Sequence, residues 1–131
     1  MTTFYTHQDY DHHEMHPGHP ECPERLRSIL RHLRETGLLE ELEVIEPPEA
    51  SAAAITRVHD PAHYEFVCAS APKSGLAPLD SDTAMGPGSL RAAKLAAGAL
   101  EDAVKRVLAG ETKRFFSAAR PPGHHAEHDR A

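Results

Sequence analysis

His124 and His125 stand side by side behind Pro121-Pro122-Gly123. Adjacent side chains point to opposite faces of a strand and splay by about 100° on a helix. A rigid, irregular loop is where both rings can be aimed at one pocket. Pro121 and Pro122 fix φ, and Gly123 supplies the dihedral or the close approach that the bend requires. Imidazole changes protonation most readily near neutral pH, so two rings on one pocket suit proton relay during hydrolysis. The plainer reading is a proline-rich surface turn carrying two solvated histidines.

The chain has eleven histidines in 131 residues, clustered at 7–19 and 124–128. That clustering points to metal or proton chemistry more strongly than the net charge of −6 does. Asp11-His12-His13-Glu14-Met15-His16 invites a second metal reading, a zinc shared by His12, His16, His19 or Cys22. The ligand types suit zinc, but no C-x₂₋₄-C or HExxH spacing supports it. Acidic residues spread along the chain argue against a nucleic-acid-binding surface. Cys22 and Cys68 imply no disulfide framework, so a reducing, cytoplasmic setting is expected. The N-terminal residues lack the pattern of a signal peptide, and no apolar run approaches the ~20 residues that span a bilayer.

Several elements must position these residues. Thr2–Thr6 suits a short strand, and 7–22 is polar, aperiodic and reads as a long loop. A helix is predicted over 23–36, with Pro23 at its first position and Glu24 at the positive end of the dipole. Leu26, Ile29, Leu30 and Leu33 give it one apolar face. Gly37 stops it, and Leu38 is expected to pack back on its last turn. A strand at 43–46 ends at Pro47-Pro48, a helix follows over 49–58, and Asp60-Pro61 caps another that carries Tyr64, Phe66, Val67 and Cys68. Residues 71–88 read as a loop with no regular element. Ser89 is the expected N-cap of a helix running through Ala109 and closed by Gly110. Arg114–Ala119 reads as a buried strand. Strands and helices in this order suggest βαβ units on a parallel sheet, with chemistry beyond the carboxyl ends of the strands.

Arg120-Pro121-Pro122-Gly123-His124-His125-Ala126-Glu127 resembles the active-site loop of zinc-dependent histone deacetylases. It is most similar to the class II branch, which includes bacterial histone-deacetylase-like amidohydrolases and acetylpolyamine amidohydrolases. His19-Pro20-Glu21-Cys22-Pro23-Glu24-Arg25-Leu26 is similar to the family's first active-site loop, and Arg34-Glu35-Thr36-Gly37-Leu38 to the end of the helix after it. Val58-His59-Asp60-Pro61 with Tyr64, and Asp80-Ser81-Asp82-Thr83 with Ser89 and the helix to Gly98, fit two further segments in family order.

The resemblance implies an α/β fold of the arginase/deacetylase type, a parallel sheet between helix layers, present here as an N-terminal portion of one domain (1–131). It implies hydrolysis of the acetyl amide of an acetylated lysine peptide or acetylated polyamine. His125 would then be the general base and acid, and His124 its electrostatic and proton-transfer partner. Asp82, or Asp80 in its place, would accept hydrogen bonds from the substrate backbone at the rim. Arg25 would lie in an inner channel, and His19 and Glu21 would shape the entrance. The cofactor implied is zinc, with ligands and the catalytic tyrosine expected beyond residue 131, so the 131 residues alone are expected to be inactive. The rival expectation is a non-catalytic, His-rich metal-binding or regulatory module on the same half-fold.

Overall fold

The computed structural model describes residues 1–131. Its centre is β1 (Thr2–Tyr5), in parallel register with β2 (Leu42–Ile45) on one side, Phe4 opposite Val44. On the other side lies β5 (Phe115–Ser117), Phe4 opposite Phe116. The sheet order is therefore β2-β1-β5. The connections are helical: α1 (Glu24–Glu35) lies between β1 and β2, and α2 (Ala52–Thr56), α3 (Pro61–Ser70) and α4 (Ser89–Leu108) lie between β2 and β5. Parallel neighbours need such crossovers, so the βαβ expectation holds.

Successive residues of β1 face opposite ways. Phe4 joins a buried cluster with Tyr10, Leu26 of α1, Ala92 and Leu95 of α4, and Ala118. Tyr5 joins Ala99 and Ala103 from the later turns of α4. The hydroxyl of Tyr5 donates to Asp102 at 2.7 Å, so its polar end is satisfied while its ring is buried. No helix is long and apolar enough to cross a membrane.

Several expectations need adjustment. Leu26, Leu30 and Leu33 of α1 face the core, but Ile29 is 39% exposed. At 3.6 residues per turn Ile29 lies about 60° from Leu26, on the margin of the stripe. Gly37 ends the helix at φ 76° as expected, yet Leu38 is exposed and Leu39 makes the core contact instead. The helix expected over 49–58 is shorter, because Ser51 caps it by accepting from the Ala54 amide. Asp60 caps α3 as read, accepting from Ala62 at 2.7 Å. Residues 71–88 are not wholly irregular: β3 (Ala77–Pro78) and β4 (Ala84–Met85) form a two-residue antiparallel pair. β5 is not fully buried, since Phe116 on the edge strand remains 54% exposed although it stacks on Phe4 at 6.0 Å.

α4 carries one glycine in its middle, where alanine would ordinarily favour the helix by about 1 kcal/mol. At Gly98 a Cβ would fall on the Pro48 carbonyl oxygen and 2.8 Å from the Ala50 amide nitrogen. That strand-to-helix passage is also pinned by the Ala50 amide, which donates to the Lys94 carbonyl at 2.9 Å. Gly98→Ala is therefore expected to destabilise the chain by about 1–3 kcal/mol despite the better propensity. Thermal melts of the two proteins check it; an unchanged or higher Tm would mean that the backbones separate freely.

Candidate active site

The loop from Arg120 to Ala126 leaves the carboxyl end of β5 and turns at Gly123, which has φ 66°. The imidazoles of His124 and His125 lie side by side, their centroids 4.0 Å apart and their planes inclined by 47°. Both residues are exposed, and both line a cavity of about 270 Å³ that also takes in His13, His19, Glu21, Asp82 and Ser89. A larger, more apolar cavity of about 520 Å³ lies between α2, α3 and α4, but it contains none of His124, His125 or Asp82. The smaller cavity is the candidate site, because chemistry requires the groups to converge and size alone does not supply it.

Asp80 and Asp82 have different surroundings. The carboxylate of Asp80 accepts from the amides of Asp82 at 2.8 Å and Thr83 at 2.7 Å. Those two backbone amides hold its carboxyl below the usual carboxylate range. Asp80 is thus the capping residue of the β3–β4 turn. The side chain of Asp82 is 83% exposed, and its one polar partner is His19 Nε2 at 3.1 Å. Asp82 therefore keeps acceptor capacity at the mouth of the cavity, and His19 ties the entrance loop to it.

Arg25 does not reach this cavity. It lies on the outer face of α1 with its side chain 59% exposed, 3.9 Å from Glu21. The buried guanidinium is that of Arg120, whose residue exposure is 1%. Arg120 donates to both carboxylate oxygens of Glu21, Nε at 2.6 Å and a terminal nitrogen at 2.8 Å, in a bidentate fork. Its other terminal nitrogen donates to the carbonyls of Tyr10 at 3.0 Å and His13 at 2.8 Å. Burial by itself would raise the Glu21 carboxyl, but hydrogen bonds from His13 and Arg120 outweigh it and bring it down to about 2.

His13, 4% exposed, closes the cluster: Nδ1 meets Ser89 Oγ at 2.7 Å, and Nε2 lies 3.4 Å from Glu21. Ser89 is not the N-cap that its type suggests. It is the first residue of α4, and its hydroxyl turns back to accept from the Gly86 amide at 2.8 Å. Sequence reasoning missed this cluster as a unit. Its available signal was a lone arginine before the Pro-Pro-Gly turn and a glutamate in the His-Pro-Glu loop, charges of opposite sign 99 residues apart.

Of the other histidines, His59 and His63 lie with their ring centroids 5.5 Å apart beside His128, and His7, His12 and His19 near the N-terminus are engaged separately. His7 accepts from the Asp9 amide, His12 lies on Asp9 at 3.4 Å, and His19 is engaged with Asp82. No group of three or more His, Cys, Asp or Glu side chains is placed to hold a metal ion. The residues present therefore do not themselves fit a zinc centre, neither at the His-His loop nor among His12, His16, His19 and Cys22.

Comparisons with known proteins show what the chain is similar to in sequence and in fold. The histone deacetylase domain model matches residues 19–131. A probable deacetylase of Archaeoglobus fulgidus is 36% identical over 129 residues, which cover 97% of this chain and 35% of that protein. A histone deacetylase-like amidohydrolase of Pseudomonas aeruginosa is 40% identical over 114 residues, 87% of this chain and 30% of its own. The crystal structure of the HDA15 HD domain superposes with a TM-score of 0.92 at 31% identity, covering 99% of this chain and 38% of that one. The chain thus spans about a third of the length of the relatives it matches. By sequence and by fold, the chain belongs to the histone deacetylase family.

Proposed function

We propose that residues 1–131 form the proton-handling and rim half of a zinc-dependent site that hydrolyses the acetyl amide of acetylated lysine or an acetylated polyamine. The observation that carries this reading is the convergence of His124, His125 and Asp82 on one cavity beyond the carboxyl end of β5. In this reading His125 takes the proton of the attacking water and returns it to the leaving amine nitrogen. His124, with its ring 4.0 Å away, is its electrostatic and proton-transfer partner. The zinc ligands are assigned outside residues 1–131, which hold no metal-binding group of their own. On this reading the 131 residues alone do not turn over substrate.

Asp82 tests the rim assignment, in the longer polypeptide that joins these residues to a metal-binding segment. A carboxylate accepting amide hydrogen bonds at an exposed mouth contributes about 1.5 kcal/mol, roughly tenfold in kcat/KM. Asp82→Asn is expected to raise KM by about that factor, with zinc content and Tm retained. Asp80→Asn is expected to loosen the turn instead. Unchanged kinetics in Asp82→Asn together with a KM defect in a folded Asp80→Asn protein would transfer the rim role to Asp80.

A further inference from the structure

We infer that the buried row Ser89–His13–Glu21–Arg120 is a positioning device that aims the His124–His125 loop; the inference rests on the function proposed above. Arg120 is the last residue before the rigid Pro121-Pro122-Gly123 turn, so the direction in which the two rings leave the fold is set at its backbone. Its guanidinium gathers three other parts of the chain: the carbonyls of Tyr10 and His13, and both oxygens of Glu21. His13 carries the row on to Ser89, whose oxygen is fixed by the Gly86 amide at the start of α4. The Ser89 hydroxyl proton is then free for His13 Nδ1, leaving Nε2–H directed to Glu21. One continuous row thus connects the first turn of a 20-residue helix to the residue that launches the catalytic loop.

Ser89, His13 and Glu21 also copy the atom order of a nucleophilic triad. Two facts oppose that use. Arg120 occupies both oxygens of Glu21, and Ser89 is 3% exposed with its hydroxyl already bonded on two sides. The same saturation suits a fixed strut. The functional rings themselves are exposed and make no hydrogen bond or ion pair that holds them, so their aim depends on what lies behind the turn.

The test uses the 131-residue chain with histidine-ring nitrogen NMR, which needs no turnover. Glu21→Gln, Arg120→Lys and Ser89→Ala each remove part of the row while keeping much of its shape. In Glu21→Gln and Arg120→Lys the ring signals of His124 and His125 are expected to shift or broaden, and that of His32, exposed on α1 and outside the cavity, to stay in place. Signals of His124 and His125 that coincide with wild type in folded variants would overturn the inference. So would unfolding of all three variants, Ser89→Ala included, because the row would then be holding the fold and not aiming the rings. In the longer polypeptide Arg120→Lys is expected to lower kcat about tenfold or more with KM little changed. A wild-type protein without deacetylase turnover would refute the proposed function, while the ring spectra would still decide the role of the row.

Discussion

Arg120→Ala is expected to cost about 3–5 kcal/mol of stability, because it removes one partner of a buried ion pair. Four hydrogen bonds leave with the guanidinium, two to Glu21 and one each to the Tyr10 and His13 carbonyls. Glu21, with its side chain only 13% exposed, would then hold a charge without its cation. Domains of this kind have about 5–15 kcal/mol in total, so the loss takes a large share of the whole. The pH dependence follows from the same carboxyl. Its folded value of about 2 lies below the ordinary 4.5. A depressed acid stabilises the fold above its unfolded value, and the contribution is lost as pH falls from about 4.5 through about 2. That contribution is on the order of 3 kcal/mol. Urea denaturation at pH 7 and at pH 3 checks both parts. Wild type is expected to lose stability between the two, and Glu21→Gln to show less of that loss. Equal stability of Arg120→Ala and wild type at pH 7 would contradict the account.

The elements of this fold were legible where local chemistry decides them. The apolar stripe of α1, its stop at Gly37, the Asp60-Pro61 cap and the close of α4 at Gly110 all follow from residue type and spacing. The positions that departed from expectation are those settled by the contacts the folded chain makes, some distant in sequence and some within one turn. Ser89 has the right type for an N-cap, but His13 and the Gly86 amide claim its hydroxyl. Phe116 has the pattern of a core strand, yet its place on the edge of the sheet leaves it half-exposed. Asp80 and Asp82 are equivalent in sequence and become distinct once two amides of the turn occupy Asp80. The candidate site shows the same division. His124-His125 can be read directly, whereas the pairing of Arg120 with Glu21 has no periodicity to reveal it.

If residues 1–131 supply the proton-handling half of the proposed site, His125→Ala in the longer polypeptide is expected to remove nearly all of its deacetylase activity, by about 10²–10⁴-fold in kcat, and His124→Ala to lower kcat strongly. Neither is expected to lose the metal. Both rings sit at the mouth of the same cavity, 4.0 Å apart, and neither belongs to a group of side chains that could hold an ion. A general base lost from such a site costs the proton-transfer advantage and leaves binding in place, so KM should change little. The most direct measurement is turnover of an acetyl-lysine reporter, with zinc content determined on the same samples. It compares the 131-residue chain with a longer polypeptide that joins it to a segment supplying the zinc ligands, as wild type and as His125→Ala. The account predicts turnover only in the longer wild-type protein, with stoichiometric zinc retained in its His125→Ala variant. Zinc-dependent turnover by the 131-residue chain alone, or loss of zinc with His125, would contradict it.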